Sequence, residues 1–126
     1  MHPLPQEDQL SCLVGAELTQ IIIDPYEVRF LFDGPGVQAG ITVTAPFLYS
    51  DSIVEEEFEP DNGCRTQDPV HFHALLEQKL LGLHVSPEGD QLSLEFEAGR
   101  KLTIRSEIGG PYESGSIHAD GKLWIF

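Results

Sequence analysis

The feature that most limits the possible folds is a series of short alternating segments, each ended by a glycine or proline turn. In residues 26–32, apolar side chains occupy every second position, which is the pattern of a half-buried β-strand. Asp24-Pro25 precedes this segment, and the turn sequence Asp33-Gly34-Pro35-Gly36 follows it. Because segments of this length and period do not form long helices, the sequence predicts a mainly β protein.

The same pattern continues along the chain. Between Gly or Pro turns, further strands are predicted at residues 18–23, 41–44, 81–85, 92–96, 101–105, 116–118 and 123–126. The pair Asp120-Gly121 is typical of a tight hairpin turn before the last strand. The inward positions of the clearest strands predict six core residues: Phe30, Phe32, Leu92, Leu94, Phe96 and Ile104.

The two halves of the chain resemble each other. Residues 28–32 align with residues 92–96, and Pro46-Phe47 aligns with Pro111-Tyr112. We interpret the halves, about 13–53 and 81–126, as a possible internal duplication. Two such units are too few for a solenoid, so we expect two antiparallel β-meanders that cover each other's apolar faces as a sandwich or open barrel.

The length of 126 residues predicts a single β-rich domain over 10–126. Residues 1–9 contain two prolines and two acids, and we expect them to form a flexible tail. One helix is expected near residues 68–80, where Asp68 can cap, Pro69 suits the first turn, and apolar residues follow at helical spacing. This helix would bridge the two halves.

Charge excludes several classes of partner. Seven basic and twenty-one acidic residues give a net charge of −14, so nucleic acid and anionic membrane surfaces would be repelled. Cys12 and Cys64 are too few for a disulfide scaffold and lack zinc-site spacing. Because the first eight residues also lack the regions of a signal peptide, the expected compartment is the cytoplasm.

The most unusual segment is residues 51–61, which holds six acids and no base. It reads either as a loop kept soluble by its charge or as a docking surface for a basic protein. In the second case, clustered carboxylates speed the encounter and apolar residues anchor it. The candidate partner-binding residues are Asp51, Ile53, Glu55, Glu56, Glu57, Phe58, Glu59 and Asp61.

An alternative is a metal site. The motif His71-x-His73-x-x-x-Glu77, with His118 further along, resembles the metal motifs of cupins. The resemblance implies a cupin-like metal-dependent enzyme or metal-binding domain, and such ligands would suit a divalent transition metal. In a helix, however, residues two apart point about 200° from each other, so His71 and His73 would diverge. We find no nucleophile elbow and no phosphate-binding loop, so we expect no enzyme activity and no cofactor.

The second half also resembles a group of small uncharacterised bacterial proteins. The shared residues are Leu81-Gly82, Val85, Gly89, the Leu92-x-Leu94-x-Phe96 strand, Gly99, Leu102-x-Ile104, Tyr112-Glu113-Ser114 and Ile117. Similar small acidic proteins often serve as immunity partners of secreted toxins. The resemblance therefore implies an immunity protein that neutralises a basic bacterial toxin, with no catalytic residues and with the oligomeric state left open.

Overall fold

The computed structural model describes residues 2–60 and 71–126, which form ten strands in two antiparallel five-stranded sheets. The strands are β1 (Glu17–Ile23), β2 (Val28–Gly34), β3 (Val37–Val43), β4 (Phe47–Ser50), β5 (Glu55–Phe58), β6 (Leu80–Val85), β7 (Gln91–Phe96), β8 (Lys101–Arg105), β9 (Gly115–Ala119) and β10 (Lys122–Ile125). Short 3-10 helices lie at Glu7–Leu13, Phe72–Leu75 and Glu97–Gly99. The predicted mainly β fold is confirmed.

The strand order repeats between the sheets. The first sheet runs β1-β2-β3-β9-β10 and the second β6-β7-β8-β4-β5. Each half of the chain thus forms a three-stranded meander in one sheet and then adds a hairpin to the other sheet. The predicted meanders are present, but the halves exchange their last hairpins, which the sequence pattern did not indicate.

Equivalent strands also share their register. In β1, Leu18 pairs with Phe32 just before a β-bulge, and in β6, Leu80 pairs with Phe96 just before another. A bulge adds one residue and increases the local twist of its strand. The two halves therefore bend at the same place, where β1 and β6 approach each other.

The four sheet edges fall into two kinds. The edges β1 and β6 meet, because the Leu18 N–H donates to the Gln78 carbonyl at 2.9 Å and the Leu80 N–H donates to the Ala16 carbonyl at 2.9 Å. The edges β5 and β10 each have a neighbour on one side only among the residues described. In the described part of the chain, β5 and β10 are therefore the outer edges of the two sheets.

The core lies between the sheets. All six predicted core residues are buried, so the inward faces were correctly predicted. Four rings, from β2, β4, β5 and the 3-10 helix before β6, form an aromatic cluster of Phe30, Phe47, Phe58 and Phe72. The ring centroids of Phe58 and Phe72 are 4.7 Å apart and nearly perpendicular, a favourable edge-to-face geometry.

The predicted helix at 68–80 is much shorter in the part that the structure describes. Residues 68–70 lie outside the described residues, and the 3-10 helix that follows ends at Leu75. Glu77 has a φ of 68°, which no right-handed helix allows. Residues 77–80 instead bond to the backbone of β1 and its preceding turn, so pairing with β1 replaces the continuation of the helix.

The N-terminal segment also differs from the predicted tail. Leu4 is only 5% exposed, and its N–H donates to the Gly89 carbonyl at 2.8 Å. Residues 7–13 form a 3-10 helix that buries Leu10 and Leu13. The burial of two leucines explains why this polar-looking segment packs on the fold. No helix in the described ranges is long and apolar enough to cross a membrane.

Candidate functional site

Residues 51–58 of the acidic segment form the tip and outer strand of the β4–β5 hairpin, where Asp51 accepts the hydrogen bonds of the turn. Its Oδ1 accepts hydrogen bonds from the Ile53 N–H at 2.7 Å and the Val54 N–H at 2.8 Å. The Tyr49 hydroxyl donates to Oδ2 at 2.8 Å. Both carboxylate oxygens therefore have donors, and these hydrogen bonds favour this conformation of the turn.

These contacts change the pKa of both groups. The backbone N–H groups of Val54 and Ile53, followed by the Tyr49 hydroxyl, stabilise the carboxylate and hold the pKa of Asp51 below its usual range. Burial, and then the hydrogen bond and negative charge of Asp51, raise the pKa of Tyr49 to about 12. The Arg100 guanidinium lowers both pKa values by a smaller amount. Asp51 is thus ionised and Tyr49 neutral at neutral pH.

Removal of this carboxylate should change how stability depends on acid. Because the folded-state pKa of Asp51 is depressed, its contribution is present above the unfolded-state pKa of about 4 and is lost as pH falls through the folded-state value. We expect Asp51→Ala to lower the melting temperature by a few degrees at pH 7 and by less at pH 3. Thermal unfolding followed by circular dichroism across this range measures both effects.

The matched variant is Asp51→Asn, whose amide oxygen can still accept from the two N–H groups of the turn. At pH 7, Asp51→Asn should keep more of the stability than Asp51→Ala does. Like the alanine variant, it should lose the part of the pH dependence of the melting temperature that the Asp51 carboxylate contributes. Equal slopes of melting temperature against pH in wild type and both variants would show that Asp51 does not hold the turn.

The segment after the turn divides between two faces. Strand alternation places the side chains of Glu55 and Glu57 outward, where both are exposed. Glu56 points inward and is half-buried, and its Oε1 lies 2.6 Å from Nδ1 of His71. Phe58 is fully buried in the aromatic cluster. The run of acids is therefore one strand of the sheet and not a uniformly solvated loop.

The predicted docking residues are accordingly only partly on the surface. Phe58 is corrected to a core residue, because its ring packs on other rings and cannot reach a partner. Asp51 accepts hydrogen bonds from the backbone of the turn, and Glu56 pairs with His71. Asp61 lies outside the described residues. Those left exposed define a surface that we call the hairpin patch: Ile53, Glu55, Glu57 and Glu59. Ile53 is its apolar member and is 88% exposed.

The histidine motif does not form a metal site in the part of the chain that the structure describes. His71 faces Glu56, whereas His118 lies on the outer face of the first sheet and covers Gly40. Glu77 is in the turn that leads to β6. Within residues 2–60 and 71–126, no group of three or more His, Cys, Asp or Glu side chains is arranged to hold a metal ion.

The sequence pattern did not indicate the pairing of Glu56 with His71. A signal was available, since Glu56 and Phe58 are two residues apart and so share a face if the segment is a strand.

Comparison with known proteins gave no match among protein-family models, curated proteins or solved structures.

Proposed function

We propose that this chain is a non-enzymatic binding protein whose hairpin patch docks on a basic protein. The observation that carries the proposal is the exposed Ile53, held out on a turn that the Asp51 carboxylate fixes and flanked by outward glutamates. A large apolar side chain at 88% exposure has no role in the core. Its setting matches the apolar centre and charged rim of a protein interface.

The fixed turn favours binding. A surface that is already ordered loses little conformational entropy when a partner docks, so more of the contact energy appears as affinity. Two backbone N–H groups and one hydroxyl bind the Asp51 carboxylate, and together they hold Ile53 in place. Ile53 is therefore presented ready to insert into an apolar pocket of the partner.

The charge of the chain indicates the sign of the partner. A net charge of −14 creates a long-range negative potential that attracts a cationic surface and repels an anionic one. Glu55 and Glu57 add to this potential beside Ile53. The partner class that the resemblance to small bacterial proteins implies is a basic toxin, and immunity in the cytoplasm is the role that we assign to the binding.

Charge reversal of the hairpin patch tests the proposal. We expect Glu55→Lys/Glu57→Lys to slow association with a basic partner by about tenfold or more, because steering by surface charge acts mainly on the association rate. Stability should stay within about 0.5 kcal/mol, as for other exposed substitutions. The measurement is stopped-flow association with the product of the gene adjacent to this one, below and above the roughly 0.1 M salt at which the Debye length is about 10 Å.

The matched control reverses the charge of two acids that lie toward the opposite edge of the second sheet, away from β5. Glu88 and Glu97 lie in the connections that flank β7, and β4 and β8 separate β7 from β5. The double variant Glu88→Lys/Glu97→Lys changes net charge by the same amount and should slow association much less. Equal association rates for the two double variants would refute docking at the hairpin patch, as would a rate independent of salt.

A further inference from the structure

The two outer edges of the fold, β5 and β10, occupy equivalent places but differ in chemistry. β5 contains three consecutive glutamates, residues 55–57, whereas Lys122 is the one charged residue of β10. Natural sheets use charged side chains to prevent another strand from adding to an edge. By this criterion β5 is protected and β10 is not.

The backbone of β10 has groups available for a further strand. The Phe126 N–H donates to the Gly115 carbonyl at 3.0 Å, and the Gly115 N–H donates to the Phe126 carbonyl at 3.2 Å. Because bonded and non-bonded pairs alternate in an antiparallel ladder, Leu123 and Ile125 direct their N–H and C=O groups away from β9. Among the described residues, no strand lies on that side of β10.

The side chains of the same two residues are also exposed. Leu123 is 64% and Ile125 is 40% exposed on the outer face of the first sheet, while Trp124 between them packs against the core. An exposed edge with aliphatic side chains is a surface to which another strand adds readily. The exposed side chains and the free backbone groups thus belong to the same residues.

We propose that β10 pairs with β10 of a second copy of this chain, antiparallel and centred on Trp124. In this register Leu123 of one copy lies opposite Ile125 of the other, and each residue satisfies the outward N–H and C=O of its counterpart. The aliphatic side chains then pack beside each other on one face. The result is an isologous dimer in which two five-stranded sheets join into one of ten strands.

Charge favours β10 over β5 as the edge for self-association. This inference is independent of docking at the hairpin patch. Self-pairing through β5 would place glutamates against glutamates, whereas β10 presents one lysine to a second chain of charge −14. The contact is short, so it buries less than the roughly 800 Å² per partner of a standard interface, and we expect a weak dimer. Added salt should strengthen it by screening the repulsion between the copies, which is the opposite of the salt effect expected for the basic partner.

Sedimentation velocity from about 1 μM to about 1 mM tests the dimer over the usual range of weak affinities. The mass should rise from 14.0 kDa toward twice that value, and more steeply at high salt. Leu123→Lys/Ile125→Lys should weaken the dimer by about tenfold or more, as loss of central apolar contacts does. The control Val14→Lys/Leu81→Lys makes the same charge change at other exposed aliphatic residues and should leave the dimer intact.

Hydrogen exchange on the wild-type chain gives a second test that needs no variant. The amides of Leu123 and Ile125 should gain protection as concentration rises. The amides of Glu55 and Glu57, which point outward from the edge strand β5, should not gain protection. A mass of 14.0 kDa at every concentration, a dimer unaffected by the β10 variant, or equal protection of the two edges would each overturn the proposal.

Discussion

Phe47→Ala should destabilise the fold by about 3 to 5 kcal/mol, the usual cost of removing a buried aromatic ring. Phe47 lies at the centre of the aromatic cluster, with ring centroids 5.6 Å from Phe30, 5.6 Å from Phe58 and 5.5 Å from Phe72. Its removal leaves a cavity and ends three aromatic pairs at once. Urea unfolding at 25 °C measures the loss, which is a large share of the about 5 to 15 kcal/mol typical of a domain.

Two variants make this result specific. Tyr26→Ala removes an aromatic side chain that is 72% exposed and should change stability by no more than about 0.5 kcal/mol. Phe47→Leu keeps most of the volume and should cost less than Phe47→Ala, which guards against an alanine variant that does not fold. A loss below about 1 kcal/mol for Phe47→Ala would mean that the cluster is not the centre of the core.

Gly115→Ala should destabilise the fold by about 3 kcal/mol, the upper end of the cost of overpacking. A Cβ at this position would overlap the backbone carbonyl oxygen of Thr42 and lie 2.8 Å from Cζ of Phe126. The Thr42 oxygen belongs to β3, so it cannot yield without disturbing the pairing of β3 with β9. The midpoint of urea unfolding should therefore fall steeply.

The neighbouring residue provides the comparison for Gly115. Ser116→Ala alters an outward-facing side chain on the same strand and should shift the midpoint little. In the other half of the chain, the position equivalent to Gly115 is Phe47, since the β4–β5 pair Phe47–Phe58 corresponds to Gly115–Phe126. The alignment of Phe47 with Tyr112 from the sequence is therefore wrong. If Gly115→Ala and Ser116→Ala had the same midpoint, the close packing of Phe126 on the Gly115 backbone would be disproved.

The sequence was most informative where one face of a strand is buried and the other is solvated. Residues 92–96 alternate cleanly because β7 has neighbours on both edges and a core on one face. β5 was missed because three glutamates in a row conceal the alternation, although Glu56 and Phe58 face inward. Composition thus suggested a loop where pairing with β4 imposes a strand.

The exchange of hairpins was not predictable from local pattern. Periodicity shows which face of a strand is buried, but it does not show which strand lies beside it. On one edge, β3 pairs with β2, its neighbour along the chain. On the other edge it pairs with β9, which comes from the other half of the chain, after the whole of the second meander. The same limit applies to the helix at 68–80, where pairing with β1 outweighs the apolar spacing of Leu75, Leu76 and Leu80.

The exposure of the hairpin patch was predicted in part. The charge of Glu55, Glu57 and Glu59 indicated exposed side chains, and the structure exposes all three. The roles of Asp51 and Phe58 depend on tertiary contacts, which composition does not reveal.

The exchange of hairpins has a consequence for synthesis of the protein. Ile41 on β3 pairs with Ile117 on β9, and the two are separated by 117 − 41 = 76 positions. At about 5 to 20 residues per second, a ribosome needs about 4 to 15 s to make the intervening chain. Throughout that time the inner edge of β3 has no strand to pair with, so the nascent first half is open to aggregation or to chaperone binding until the second half emerges.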